Sequence, residues 1–173
     1  MIEGQEKTCP GVSREIKSCY VLPSLNDLGD WEFSGGTSGL IKDDTGILTL
    51  LKSKGINDEF GVYASGSGDL KINSKEEFII PSEAKSFFIR VLVMNNIGDI
   101  SATGDVSYKL VVDGTKKYVD GTPVIGEGNM VIGRRFSLDP TADAGKNARI
   151  EVTKEVTKTG GGSVAITNIG YEL

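Results

Sequence analysis

Short stretches of alternating apolar and polar residues run along most of the chain, separated by clusters of turn residues. Trp31–Phe33 is a short alternating stretch, Gly46–Lys52 has the composition of a strand, and Ser86–Met94 is the most apolar run. A run of that kind is typical of a central strand that is buried on both faces. The pattern therefore predicts strands and turns, with no long helix.

The clearest turn signal follows Val106–Val112, where Asp113-Gly114 can supply the positive φ angles of a tight hairpin. A second pair, Asp120-Gly121, predicts another turn shortly after it. In all, the pattern predicts about nine or ten strands at regular spacing, which is typical of a β-sandwich or barrel. No interior linker is visible, so we expect residues 26–173 to form one domain.

The alternating positions of the strongest strands also predict a core. Side chains at every second position of a strand share one face, and here those positions are consistently apolar. The predicted core residues are Phe87, Ile89, Val91, Val93, Leu110, Val112, Ile150, Val152, Val164 and Ile166.

Residues 1–25 lack this pattern and are predicted to form an N-terminal arm. A polar terminus does not offset the ~1–2 kcal/mol per residue that ordering its backbone costs. We therefore expect the arm to dock on another chain through Val12, Ile16, Tyr20 and Leu22. The alternative is that it packs along its own domain. The first residues contain no basic region followed by an apolar one, so no signal peptide is predicted.

Two cysteines, Cys9 and Cys19, lie within the arm and leave two interpretations open. A disulfide between them would close a short loop and stabilise it by ~2–3 kcal/mol. Alternatively, both are free thiols in a reducing compartment, which the absence of an export signal favours. Their spacing is not that of a C-x-x-C redox motif.

Composition excludes several kinds of chemistry. The sequence contains no histidine, the commonest general base and zinc ligand. Adjacent carboxylates such as Asp43-Asp44 point to opposite faces of an extended chain, and Asp139–Gly145 is better explained as a turn than as a calcium loop. A net charge of −5 argues against nucleic acid as a partner. No apolar run approaches the ~20 residues of a membrane span. We expect a non-enzyme that binds neither nucleic acid nor membrane.

Three stretches, in this order, resemble the galactose-binding-like jelly roll shared by many carbohydrate-binding modules. Leu28–Gly36 is similar to the family's opening "G-x-W-x-x-S-G-G" segment. Phe87–Val91 and Tyr108–Gly114 are similar to its paired long strands, and Gly162–Leu173 to its closing "x-V-x-I-D-N-V-x-L-x" strand. The resemblance covers roughly residues 28–173 and implies an antiparallel β-sandwich of jelly-roll type.

The resemblance also implies roles for individual residues. The family's opening Trp packs in the core, so Trp31 is expected there. An Asp of the closing strand often helps to hold a structural calcium ion, but Thr167 stands in its place, and a hydroxyl is a poorer calcium ligand than a carboxylate. We therefore expect no cofactor and no metal. Aromatic side chains stack on sugar rings, which makes Tyr63, Tyr108 and Tyr118 the candidate glycan-binding residues.

Two classes of function follow. The first is a non-enzymatic structural or adhesion component of a larger assembly, in particular a virion protein of a bacteriophage capsid, tail or fibre. Its partners would be other protein chains, including copies of itself, and a cell-surface glycan. The alternative is a secreted carbohydrate-binding module of a glycan-degrading system, located outside the cell or on its surface.

Overall fold

Two antiparallel sheets pack face to face in the computed structural model, which describes residues 22–95, 103–125, 128–156 and 161–173. Within these ranges there are eleven strands and one α-helix, α1 (Thr45–Ser53). The strands are β1 (Trp31–Ser34), β2 (Thr37–Leu40), β3 (Val62–Ser67), β4 (Leu70–Ser74), β5 (Phe78–Ile79), β6 (Ser86–Asn95), β7 (Thr103–Val112), β8 (Thr115–Ile125), β9 (Gly128–Ser137), β10 (Asn147–Val156) and β11 (Gly161–Glu172).

The chain crosses repeatedly between the two sheets, although β2 and β3, and β7 and β8, are neighbours in sequence that pair directly. The first sheet has the order β1-β4-β10-β7-β8, with β5 paired to β10, and the second has the order β2-β3-β11-β6-β9. All described pairings are antiparallel. The predicted jelly-roll β-sandwich is therefore confirmed.

The core lies between the two sheets and contains every residue that alternation placed there. All ten predicted core residues are at most 4% exposed. Trp31 is also 4% exposed, as expected, and its indole Nε1 donates a hydrogen bond to the Ser24 carbonyl oxygen at 2.7 Å. A buried indole that keeps its hydrogen bond avoids the cost of an unpaired donor.

The prediction of a strand at Gly46–Lys52 is wrong, because these residues lie within helix α1. Asp44 caps the helix by accepting a hydrogen bond from the Ile47 amide at 3.0 Å. Ile47 and Leu51, one turn apart, are both buried on one side of the helix. They pack in a second apolar cluster with Leu92 of β6 and Ala165 of β11. The helix therefore covers part of the outer face of the second sheet.

The two predicted Asp-Gly turns have opposite outcomes. Asp113 and Gly114 have φ angles of 52° and 77° and connect β7 to β8, as predicted. The prediction of a turn at Asp120-Gly121 is wrong, because both residues lie inside β8 and pair with β7. The Asp-Gly pair at the end of β7 therefore forms a turn, whereas the pair that lies opposite the middle of β7 continues the strand.

The boundary of the N-terminal arm needs a correction. Leu22 and Leu25 are each 1% exposed and belong to the main core, so Leu22 is not available to dock on another chain. These two leucines make the end of the predicted arm part of the domain. The predicted contacts Val12, Ile16 and Tyr20 lie outside the described residues, as do Cys9 and Cys19.

Candidate functional site

Part of the outer face of the second sheet is left uncovered by helix α1. Phe87, Ile89 and Val91 point into the core, so Phe88 and Arg90 of the same strand point outward. The register places Arg135 of β9 and Gly170 of β11 on either side of Phe88. We call Phe88, Arg90, Gly133, Arg135 and Gly170 the Phe88 platform.

Two positions of the platform, Gly133 and Gly170, carry no side chain. A Cβ atom at Gly133 would lie 3.4 Å from the Phe88 ring, so the ring occupies the space beside that glycine. The guanidinium carbons of Arg90 and Arg135 lie 5.4 Å and 5.9 Å from the ring centroid. These are cation–π distances. Both guanidinium groups therefore lie over the Phe88 ring, which is partly buried.

Arg90 is fixed by a network at one border of the platform. Its Nη1 is 2.6 Å from Oδ2 of Asp58, whose side chain is 16% exposed. The same oxygen accepts a hydrogen bond from the Thr167 hydroxyl at 2.9 Å. Thr167 lies at a β-bulge of β11, between Ile166 and Asn168. The network therefore ties the loop containing Asp58 to both central strands.

That loop, Asn57–Phe60, separates two cavities beside the platform. One has a volume of about 240 Å³ and is lined by this loop together with Leu25, Thr167 and Asn168. The other, of about 450 Å³, lies between the loop and α1. Phe60 lines both cavities and is 49% exposed. A half-exposed aromatic ring at this border extends the apolar surface available to a ligand.

Arg135 is held more loosely than Arg90. Its Nη2 is 2.6 Å from Oε1 of Glu172, and the two side chains are 56% and 52% exposed. The other carboxylate oxygen of Glu172 accepts a hydrogen bond from the Ser86 hydroxyl at 2.9 Å. Exposed pairs of this kind contribute ~0–1 kcal/mol, because water solvates both partners well.

The three tyrosines predicted to bind glycan are not brought together. Tyr108 is wrong as a stacking residue, because it is fully buried in the core. Tyr118 packs against the core, and its hydroxyl donates to the Asp143 carboxylate and accepts from the Asp139 amide at 3.1 Å. Tyr63 lies on the other sheet and packs against the cluster under α1. A glycan-binding role for Tyr63 and Tyr118 stays a prediction.

The residues around Thr167 do not fit a calcium ion. The Thr167 hydroxyl donates its hydrogen to Asp58, and the Arg90 cation pairs with the same carboxylate. A divalent cation placed there would face that guanidinium group. No group of three or more potential acidic, thiol or imidazole metal ligands occurs among the residues that the structure describes. That the chain needs no cofactor stays a prediction.

Three of the aspartates in the stretches Asp43-Asp44 and Asp139–Gly145 have structural roles. Asp44 caps α1, and Asp139 accepts hydrogen bonds from the amides of Thr141 and Ala142 at 2.9 Å and 3.0 Å. Asp143 is 1% exposed and accepts from the Asp139 amide at 2.8 Å, which confirms Asp139–Gly145 as a turn. In the described part of the chain, no helix is long and apolar enough to cross a membrane.

Comparison with known proteins finds similarity in solved structures. No protein-family model matches the chain, and neither does any curated protein. The carbohydrate-binding module TmCBM61, solved with β-1,4-galactotriose, is 15% identical; the match covers 85% of this chain and 90% of that one, with a TM-score of 0.48. The mannan-recognising module TmCBM27 is 15% identical over 83% of this chain and 88% of that one, with a TM-score of 0.46.

The enzymatically active domain of tailspike protein 4 from bacteriophage CBA120 also matches. It is 15% identical, with a TM-score of 0.48, and the match covers 86% of this chain but 20% of that one. The likeness is one of fold.

No local sequence pattern predicts the platform, because its residues are far apart along the chain. Phe88 lies in a run that was interpreted as buried on both faces, and it is partly buried in the structure. Arg135 follows Arg134 in β9, and successive side chains of a strand point to opposite faces. Arg134 pairs with Asp120, whereas Arg135 lies beside Phe88.

Proposed function

We propose that this chain is a non-catalytic glycan-binding domain that uses the Phe88 platform and the adjoining cavities. The observation that carries the proposal is the surface itself, in which a partly buried phenyl ring contacts Gly133 and carries two guanidinium groups over it. A sugar ring has an apolar C–H face and a rim of hydroxyl groups. Binding it therefore needs a flat aromatic surface next to fixed polar groups, the usual composition of a small-ligand site.

The polar groups of the platform are arranged before any ligand arrives. Asp58 holds Arg90 at 2.6 Å and is itself held by Thr167 at 2.9 Å. Fixing these side chains in advance reduces the entropy that binding would otherwise cost. Asn168 lines the smaller cavity, and its buried amide oxygen has no hydrogen-bond partner within the described residues.

Glycan binding is compatible with the adhesion role predicted from the sequence and with both of the predicted locations. The domain's place in a bacteriophage virion stays a prediction, and the alternative is a secreted module. The two differ in self-association. Light scattering of the purified full chain should give an oligomer for a component of an assembly and a monomer for an isolated module.

A glycan array tests the proposal directly. The wild-type chain should bind one group of oligosaccharides, and Phe88→Ala should weaken that binding by about tenfold or more, because aromatic side chains at the centre of a site carry much of its energy. Val119→Ala is the matched control, since Val119 is 53% exposed but lies on the other sheet.

Thermal melts of the three proteins should show that the variants remain folded. The proposal fails if the wild-type chain binds no glycan. It fails equally if folded Phe88→Ala binds as tightly as the wild type. Turnover of any bound oligosaccharide would contradict the non-catalytic part of the proposal.

A further inference from the structure

The two arginines of the Phe88 platform differ in how firmly they are paired. Arg90 is 26% exposed, and its partner Asp58 is only 16% exposed and also bonded to Thr167. Arg135 is 56% exposed, and its partner Glu172 is 52% exposed. A guanidinium group has five N–H donors. Arg90 is therefore committed to the fold, whereas Arg135 keeps donors directed at solvent.

Glu172 shows what kind of group suits this position. One of its carboxylate oxygens is 2.6 Å from Arg135, and the other accepts from the Ser86 hydroxyl at 2.9 Å. The carboxylate thus lies between Arg135 and Ser86, at the border of the platform. A planar carboxylate can take two parallel hydrogen bonds from the planar fork of a guanidinium group, which a neutral hydroxyl cannot do.

We propose that the glycan bound by the Phe88 platform contains a uronic acid residue, whose carboxylate is held by Arg135. This inference rests on the proposed function and names the class of its ligand. The sugar ring lies against Phe88, and its carboxylate takes the donors of Arg135 that Glu172 leaves free. Glu172 opposes this binding through like-charge repulsion and keeps Arg135 oriented when no ligand is present.

The charge of the whole protein narrows the ligand further. The formal net charge is −5, so a densely charged polyanion would be repelled at long range. At 0.15 M salt, screening limits this repulsion to about 8 Å, a range comparable to one or two sugar residues. The ligand that fits best is therefore a uronic acid residue separated from other charges by neutral sugars.

Paired ligands isolate the role of the carboxylate. We would measure by calorimetry, at 0.15 M salt, the affinity for a tetrasaccharide with a single glucuronic acid residue. The comparison ligands are the same tetrasaccharide with its carboxyl reduced to the alcohol, and a neutral tetrasaccharide with one sulfate ester. The acidic tetrasaccharide should bind about tenfold or more tightly than its reduced form, because a hydrogen bond to a charged group is among the stronger ones.

Variants of the pair test which residue is responsible. Arg135→Gln should abolish the preference for the acidic tetrasaccharide over the reduced one. Glu172→Gln should raise affinity for the acidic tetrasaccharide several-fold. Arg134→Gln is the matched control, since this neighbouring residue pairs with Asp120 and is 47% exposed.

Each outcome separates this inference from the proposed function. Equal affinity for the acidic and reduced tetrasaccharides overturns the inference and leaves glycan binding intact. A preference for the sulfate ester also overturns it, because the site would then select charge without the planar carboxylate. Weaker acidic binding by Glu172→Gln would show that Glu172 assists the ligand, and would overturn the inference. No binding of any tetrasaccharide, with none on the glycan array, removes the proposed function itself.

Discussion

Replacing Tyr171 with Phe should stabilise the protein. The Tyr171 ring packs edge-on against Phe78 and Phe87, with centroids 6.5 Å and 5.6 Å away. Its hydroxyl oxygen is buried and has no hydrogen-bond partner within the described part of the chain. Burying an unpaired hydroxyl costs ~1–3 kcal/mol. Removing it keeps the ring contacts and leaves only a small void, so we expect a gain of about 1 kcal/mol in the free energy of unfolding.

The gain should grow at alkaline pH. Burial raises the pKa of the Tyr171 hydroxyl well above its ordinary value of 10.0. Above pH 10 the unfolded chain releases this proton while the folded chain retains it, so wild-type stability falls as the pH rises. One such proton costs about 1.4 kcal/mol per pH unit. Tyr171→Phe has no proton to release and escapes this loss.

Urea unfolding at pH 7, 9 and 11 measures both effects. In a separate thermal melt at pH 7, a gain of about 1 kcal/mol should raise Tm by roughly 2–4 °C for a domain of this size. Tyr118→Phe is the control, because its hydroxyl is bonded to Asp143 and Asp139, and its loss should destabilise. If Tyr171→Phe is less stable than the wild type, or its advantage is the same at pH 9 and 11, the hydroxyl has a partner and the reasoning is wrong.

Three further changes test other parts of the fold. Lys154→Met should stabilise the protein at pH 7. Burial lowers the pKa of Lys154, and the charge of Asp69 opposes this shift. The gain in stability of Lys154→Met should therefore shrink as the pH rises toward 10.5, where the unfolded wild-type chain also loses the Lys154 proton. Thermal melts at several pH values measure this change. Asp44→Ala should cost ~1 kcal/mol in urea unfolding by removing the cap of α1; an unchanged midpoint would contradict the capping role. A chain starting at Asn26 should melt well below one starting at Val21, because it lacks Leu22 and Leu25, each 1% exposed and each contributing ~1.5–3 kcal/mol. Equal melting would mean that these leucines are not part of the fold.

Alternation predicted the core because it reports a local property of the chain. A strand that packs one face on another sheet must be apolar at every second position, whatever its neighbours are. The same rule should have excluded Tyr108 as a stacking residue. Leu110 and Val112 were assigned to the core, and Tyr108 shares their face two positions earlier in β7. Its hydroxyl group and aromatic ring are typical of a sugar-stacking residue, but its position on the inner face of β7 determines that it is buried.

The helix was missed because a short apolar run is ambiguous. Ile47, Leu48, Leu50 and Leu51 fit a buried strand as well as they fit one side of a helix. The deciding signals flank the run and are weaker. Asp44 is a good N-cap residue, and Gly55 adopts a φ angle of 75° shortly after the helix ends. These two residues together favour a helix, and either of them alone is common in loops.

The candidate site depends on a single irregularity that no local pattern reveals. Strict alternation from Val164 and Ile166 would place Gly170 and Glu172 on the inner face of β11. The β-bulge at Thr167 shifts the alternation by one residue. Ile169 is therefore buried in the core, whereas Gly170 and Glu172 lie on the outer face. That shift places Gly170 beside Phe88 and brings Glu172 within reach of Arg135. It also places the Thr167 hydroxyl where it holds Asp58. The extra residue in β11 thus places Gly170 beside Phe88 and Glu172 beside Arg135. Thr167 itself bonds to Asp58, the partner of Arg90.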